Sequence, residues 1–171
     1  KTLLQGNVDA IYFNEKLYIG KREEVFVYNE STGNFDLFYH LAGKNITLSC
    51  LHLDKNKNLW LGTTSNGIYC LSEDKNLSRP VTKGNITSIY EDSSNELWIG
   101  SWEEGLYRVK TDGSIENLRH NPMNTTSLCS NFVRSCCEDN SGDLWIGTFN
   151  GLNRYDRETG KFHLYTANGN S

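Results

Sequence analysis

No apolar run in the chain approaches the roughly 20 residues that cross a bilayer as a helix, and the start, Lys1-Thr-Leu-Leu4, lacks the charged-then-apolar pattern of a signal peptide. The 171 residues are therefore expected to be soluble as they stand, with any export signal or membrane anchor lying outside them. A basic excess is missing too. Seventeen Lys and Arg stand against 21 Asp and Glu, for a net charge of −4, and the pI is near 5.6. Without a basic stripe to neutralise phosphates, nucleic acid is excluded as a partner of this piece.

Metal-binding and disulfide patterns are missing as well. The five cysteines, Cys50, Cys70, Cys129, Cys136 and Cys137, form neither a CxxC pair nor a zinc-type spacing with histidine. They read as small apolar residues without bridges, and Cys136 and Cys137, adjacent on a strand, are expected to point to opposite faces. His40, His52, His120 and His163 share no HxH or HxxxH spacing, so neither a metal nor any other cofactor is expected. Asn-x-Ser/Thr triplets at Asn29, Asn45, Asn76, Asn85 and Asn124 follow from a composition rich in those residues and carry no weight. Apolar residues nowhere recur at intervals of three and four, which removes helical repeats from consideration.

What is present is a repeat. Leu17-Tyr-Ile-Gly20, Leu59-Trp-Leu-Gly62, Leu97-Trp-Ile-Gly100 and Leu144-Trp-Ile-Gly147 are one unit, spaced 42, 38 and 47 residues apart. Five residues before the Leu of the last three copies stands Asp54, Asp92 or Asp139, closing the alternating apolar stretches Ile46–Leu53, Ile86–Glu91 and Phe132–Glu138. A turn and a second apolar run follow, at Gly67-Ile-Tyr, Gly105-Leu-Tyr and Gly151-Leu-Asn. A third turn leads to a last run, at Thr32-Gly-Asn-Phe35, Asp112-Gly-Ser-Ile115 and Thr159-Gly-Lys-Phe162.

Each copy thus reads as four short strands divided by Gly, Asn, Asp and Ser clusters. Four strands in about 42 residues is the arithmetic of a β-propeller blade; a β-sandwich also has short strands but no reason to repeat one motif. The predicted fold is all-β, a single partial propeller over residues 1–171 with four four-stranded antiparallel blades near 7–40, 46–82, 85–120 and 131–166. Strands within a blade are lettered A to D from the inside. On strand B, Leu and Ile share one face while Trp and Gly share the other. Trp60, Trp98 and Trp145 are therefore expected between blades, with Gly20, Gly62, Gly100 and Gly147 allowing close approach of a neighbouring backbone or ring.

From His120 to Tyr165 the chain reads His120-Asn-Pro-Met-Asn-Thr-Thr-Ser, then Glu138-Asp-Asn-Ser-Gly-Asp-Leu-Trp-Ile-Gly-Thr-Phe-Asn-Gly-Leu-Asn-Arg-Tyr-Asp156, then Thr159-Gly-Lys-Phe-His-Leu-Tyr165. This closely resembles the two-component regulator propeller repeat. The second and third copies keep its Asp, Leu-Trp-[Leu/Ile]-Gly and Gly-[Ile/Leu] core; the first departs most, with Tyr18 for Trp and no Gly after the turn. The resemblance implies the extracytoplasmic, periplasmic sensor of a hybrid two-component receptor. Its parent chain would be membrane-anchored, with a β-sandwich, a histidine kinase and a receiver beyond this piece, so any kinase activity would belong to the parent. The repeat itself is structural and carries no ligand residues across.

Catalysis finds little support in the residues. Asp54, Asp92 and Asp139 recur too regularly for an acid and base pair, which needs two different environments, and they read as turn residues accepting backbone N–H bonds. Binding is the better reading, on the loops that a rigid scaffold presents. The B–C loops are Lys21–Glu24, Thr63–Asn66, Ser101–Glu104 and Thr148–Asn150, and Trp102 and Phe149 hold the same place in two of them. Aromatic rings beside carboxylates and amides suit a sugar, which stacks by its C–H face and is hydrogen-bonded through its hydroxyls. Trp102, Glu103, Glu104, Phe149, Asn150 and Arg22 are the candidate ligand-binding residues, with an oligosaccharide or other small ligand expected. A protein-interaction scaffold is the alternative, and a propeller lyase or hydrolase a further one. Four blades are too few for the family's usual ring. The outer faces of the end blades are expected to meet the rest of the propeller or a second copy.

Overall fold

The structure is a computed structural model, and it describes residues 8, 10–14, 16–42, 46–166 and 169–170. The reading of Lys1–Leu4, the start of the first expected blade at residue 7, and the triplet at Asn45 lie outside the described residues.

The chain divides into two compact units, Lys1–Asn85 and Ile86–Ser171. The first contains β1 (Ala10–Asn14), β2 (Lys16–Lys21), β3 (Glu24–Asn29) and β4 (Asn34–His40) as one meander, then β5 (Leu48–Leu53), β6 (Leu59–Thr63) and β7 (Ile68–Leu71) as a second. The second unit contains β8 (Ile86–Glu91), β9 (Leu97–Ser101), β10 (Leu106–Val109) and β11 (Ile115–Leu118), then β12 (Val133–Glu138), β13 (Leu144–Thr148), β14 (Gly151–Asp156), β15 (Lys161–Thr166) and β16 (Gly169–Asn170). All pairings are antiparallel between consecutive strands, so each sheet is one blade and the architecture is all-β, built of propeller blades.

Two sheets depart from four strands. In the blade beginning with β5 the outermost strand is missing, and Leu77 makes only an isolated bridge to Leu71. The segment still follows β7: Ser78 N–H donates to the Cys70 carbonyl at 2.8 Å, the Ser78 hydroxyl accepts from Cys70 N–H at 2.9 Å, and Val81 N–H donates to Ile68 O at 2.9 Å. A side chain standing in for a ladder carbonyl, and Pro80 without an N–H, keep it from pairing regularly. The last blade instead gains β16, which pairs with Tyr165 and Thr166.

Strand B alternation places the core. Tyr18 of β2 joins Leu51, Leu59, Leu61 and Leu71 of the next sheet in one buried cluster, while Trp98 of β9 joins Leu144, Ile146, Tyr155 and Phe162 in the other. The Trp face of one blade therefore packs on the Leu/Ile face of its successor. Trp60 and Trp98 are 9% and 0% exposed. Trp145 is only half-buried, against the expectation, and its ring touches Tyr165 of its own sheet at 5.2 Å, with no further sheet in its unit to cover it. At Gly100 a Cβ would sit 2.5 Å from the Ser88 hydroxyl and 2.8 Å from Val133 Cγ1, so the close approach comes from side chains of strand A rather than from a ring.

Candidate functional site

The three repeated aspartates are structural, with a pairing their spacing did not announce. Asp92, 1% exposed, accepts Ser94 and Glu96 N–H on Oδ1, both at 2.9 Å, and the Trp98 indole N–H on Oδ2 at 2.8 Å. Asp54 and Asp139 repeat this on Trp60 at 2.9 Å and Trp145 at 2.7 Å. Each carboxylate closes its A–B turn and anchors the blade's tryptophan. Burial works to raise the Asp92 carboxyl, but the Trp98 and Glu96 hydrogen bonds and Arg157, 2.8 Å away, outweigh it and hold the group below the ordinary carboxylate range. Arg157 also reaches Glu138 at 3.1 Å.

The B–C turns are built alike. The hydroxyl residue after Leu-Trp-Ile-Gly bonds the carbonyl of the glycine that ends the loop: Thr63 to Gly67 at 2.7 Å, Ser101 to Gly105 at 2.8 Å and Thr148 to Gly151 at 2.9 Å. Gly105 is required there, since its φ is +82° and a Cβ would lie 2.5 Å from the Leu118 carbonyl. Glu103 takes a φ of 108°, a strained conformation for a side-chain-bearing residue at the loop tip. Arg119 holds this loop, donating to the carbonyls of Glu103 at 3.1 Å and Glu104 at 3.2 Å and pairing with the Glu104 carboxylate.

These turns gather three rings. Trp102 forms an antiparallel bridge with Phe132, and their rings meet edge to face at 5.2 Å. Phe132 in turn lies 6.3 Å from Phe149, whose N–H donates to the Phe132 carbonyl at 2.9 Å. Arg134 sets its guanidinium 5.2 Å from the Trp102 ring centre, a cation–π contact. It occupies the register shift between Val133 and Ser135, where a bulge re-aims a side chain. Trp102 is partly covered, while Phe149 is 65% exposed.

Of the six residues expected to bind, Trp102, Glu103, Phe149 and Asn150 thus stand on this one cluster of turns, and Glu103 and Asn150 are exposed. Glu104 is taken up by Arg119 and serves to hold the loop. Arg22 is exposed at the β2–β3 turn of the first unit and is not among these residues. Sequence reasoning missed Phe132 and Arg134. Phe132 opens the alternating apolar stretch that read as strand A; its aromatic ring at the very start of that strand was the available signal. A separate cavity of about 560 Å³ lies between the loop His120–Cys129 and Phe162–Leu164. Beneath that loop, the buried Asn153 amide donates to the Cys129 sulfur at 2.8 Å and accepts the Cys129 N–H at 3.1 Å.

All five cysteines are free thiols. Burial pushes Cys50 and Cys136 up to about 12 and Cys70 up to about 11, far from thiolate chemistry at neutral pH. Cys137, next to Cys136, is exposed, as opposite faces require. Among the described residues no group of three or more His, Cys, Asp or Glu is placed to hold a metal ion.

Sheets of three to five consecutive antiparallel strands, packed in pairs through Tyr18 or Trp98 and carrying their aromatic loops at the B–C turns, define the class: β-propeller blades. The model of the two component regulator propeller family matches residues 40–65, 80–103 and 127–150, so three of the four repeats carry that family's motif. No curated protein matches the chain. Among solved structures it is similar to the extracellular domain of a hybrid two component system from B. thetaiotaomicron, at 24% identity and a TM-score of 0.74, over 96% of this chain and 23% of that one. It is also similar to a catalytically inactive virginiamycin B lyase from Staphylococcus aureus with quinupristin, at 17% identity and a TM-score of 0.71, over 94% of this chain and 56% of that one. An auxiliary nutrient binding protein from Bacteroides thetaiotaomicron matches at 16% identity and a TM-score of 0.65, over 92% of this chain and 40% of that one. At such identities the likeness is one of fold, and the chain spans between about a quarter and just over half the length of these proteins.

Proposed function

We propose that the chain is a ligand-sensing segment of a hybrid two-component receptor, located outside the cytoplasm in the periplasm, and that it binds an oligosaccharide and signals to a membrane-anchored histidine kinase. The family of its repeats supports the receptor, and the names of two similar structures, a hybrid two component system and a nutrient binding protein, point the same way. The observation that carries the binding site is the ring series Trp102–Phe132–Phe149, open at Phe149 and flanked by Arg134, Glu103 and Asn150. A pyranose laid on Phe149 would bring its hydroxyls to the carboxylate and amide beside it. The module is not an enzyme in this reading: its repeated carboxylates are spent on turns and indoles, and the lyase likeness is one of fold. The half-buried Trp145 face is where a further blade, from the rest of the ring or from a second copy, would pack.

The test is calorimetry with a panel of neutral oligosaccharides. A bound member should lose about 1–3 kcal/mol of affinity on Phe149→Ala or Trp102→Ala, the range of hot-spot truncations. Unchanged affinity in both variants removes these loops from the site. Binding of a folded protein and of no oligosaccharide would favour the scaffold reading, which the exposure of Phe149 also serves.

A further inference from the structure

Strand A of three sheets carries the same bulge, so its occupant can be compared from sheet to sheet. Each shift in register inserts one extra residue: Ser49 between Leu48 and Cys50, Thr87 between Ile86 and Ser88, and Arg134 between Val133 and Ser135. A bulge re-aims the side chain it carries. Thr87 is spent inside the fold, its hydroxyl donating to the Val133 carbonyl of the next sheet at 2.7 Å. Two of the sheets thus place a small hydroxyl residue here, and the third holds a long cation instead.

Arg134 also differs from the other arginines of its unit. Arg108 pairs with Glu96, Arg119 with Glu104, Arg154 with Asp143, and Arg157 with Asp92 and Glu138. Among the described residues the Arg134 guanidinium has no ion pair and no hydrogen bond, and its side chain is exposed, 5.2 Å from the Trp102 ring centre. The residues of the unit outside the description are Ala167, Asn168 and Ser171, none of which brings an acidic side chain. A ring attracts a cation through its face, so the contact holds the guanidinium in place and leaves N–H donors to spare. Trp102 lies on the loop of the preceding sheet, which turns the guanidinium toward the cluster of turns and not toward a following blade. The ring left open beside it is Phe149. Of the acids on these turns, Glu104 is neutralised by Arg119, and Glu103 stands exposed at the loop tip without pairing to Arg134.

We propose that Arg134 sets the ligand class of the Trp102–Phe132–Phe149 site: an oligosaccharide bearing a carboxylate or sulfate, whose oxyanion is held by the guanidinium while a pyranose lies on Phe149. The inference rests on the sugar reading of these turns and narrows it. A guanidinium presents its donors as a planar fork that matches two oxygens of an oxyanion. An arginine already settled against an aromatic ring loses less freedom on taking up such a group than one free in solvent.

The test is calorimetric titration of the chain with two matched pairs: an oligogalacturonate against its methyl ester, and a sulfated galactose disaccharide against the unsulfated one. At least one anionic member should bind about tenfold or more tightly than its neutral partner, the gain expected of a charge-assisted bond, and raised salt should shrink the difference. Arg134→Gln should abolish most of that preference; the side chain is exposed, so an unchanged urea midpoint is expected. The proposal is overturned if neither anionic member binds, if each binds no more tightly than its neutral partner, or if Arg134→Gln keeps the full preference. Phe149→Ala separates this failure from failure of the reading beneath it. Neutral and anionic members that bind alike, both weakened by Phe149→Ala, remove the role of Arg134 and leave the sugar site standing. A preference lost in Arg134→Gln but with affinity untouched by Phe149→Ala, or inorganic sulfate binding as tightly as the sulfated sugar, removes both, since the rings would contribute nothing.

Discussion

Removing the aspartate from each of three repeats separates burial from hydrogen bonding, because a carboxylate that accepts turn N–H groups and the indole N–H recurs in three different surroundings. Consider Asp92→Ala. The Trp98 indole N–H, on a side chain that is 0% exposed, would lose its acceptor with no water to replace it, at a cost of about 1–3 kcal/mol. Arg157 would lose one of two carboxylates; its side chain is 26% exposed and Glu138 remains, so solvent and the second acid limit that loss to about 1 kcal/mol. The turn N–H groups of Ser94 and Glu96 lose a cap, worth about 0.5–1 kcal/mol. The expected total is about 3–4 kcal/mol, in the range for breaking a buried pair. In urea this lowers the midpoint by about 1.5–2 M at a slope near 2 kcal/mol/M. Asp139→Ala removes equivalent bonds to Trp145, but there the bond is exposed to water and Arg154 pairs directly with Asp143 rather than with Asp139, so its midpoint should move by a small fraction of that. Asp54, 7% exposed, should fall between them. Unfolding followed by far-ultraviolet circular dichroism and by tryptophan emission measures all three. Equal losses at Asp92 and Asp139, or an Asp92→Ala loss below about 1 kcal/mol, would refute the argument that burial sets the cost.

The same group sets an acid limb. Its folded-state affinity for a proton is lowered, so its stabilisation is fully present above the ordinary carboxylate range near ~4 and is lost as pH falls through the lowered folded value; Asp92→Ala should flatten that limb in melts recorded against pH. Gly100→Ala would drive a methyl into Ser88 and Val133, at 2.5 and 2.8 Å, and should cost about 1–3 kcal/mol by overpacking, read as a lowered urea midpoint; an unchanged midpoint would show that strand β8 shifts freely. Thiol labelling of the native protein followed by mass spectrometry should modify Cys137 first, with Cys50 and Cys136 protected by burial and by thiols raised to about 12; early modification of Cys136 would show that the sheet face opens.

Much of the fold was legible because a propeller blade is a local object. Its strands follow one another in the chain, side chains alternate with period two, and turn residues sit at fixed offsets, so Leu97-Trp-Ile-Gly100 announces strand, face and neighbour at once. The aspartate five residues upstream was equally visible, and its backbone role follows from turn chemistry. Its bond to the tryptophan depends on how the turn folds the two side chains together, which spacing alone does not state. Trp145 has the same local sequence as Trp98 and a different environment, because burial belongs to the neighbouring sheet and not to the residue. The aromatic cluster divides along the same line. Trp102 and Phe149 could be matched as repeat positions, whereas Phe132 entered only through an antiparallel bridge joining residues 30 positions apart in the chain. Likewise Arg134 reads in the sequence as one more surface cation. Only the shift in register that re-aims it, and the loop of the preceding sheet folded beside it, show that its guanidinium lies against the Trp102 ring, because register belongs to a pair of strands and not to a residue.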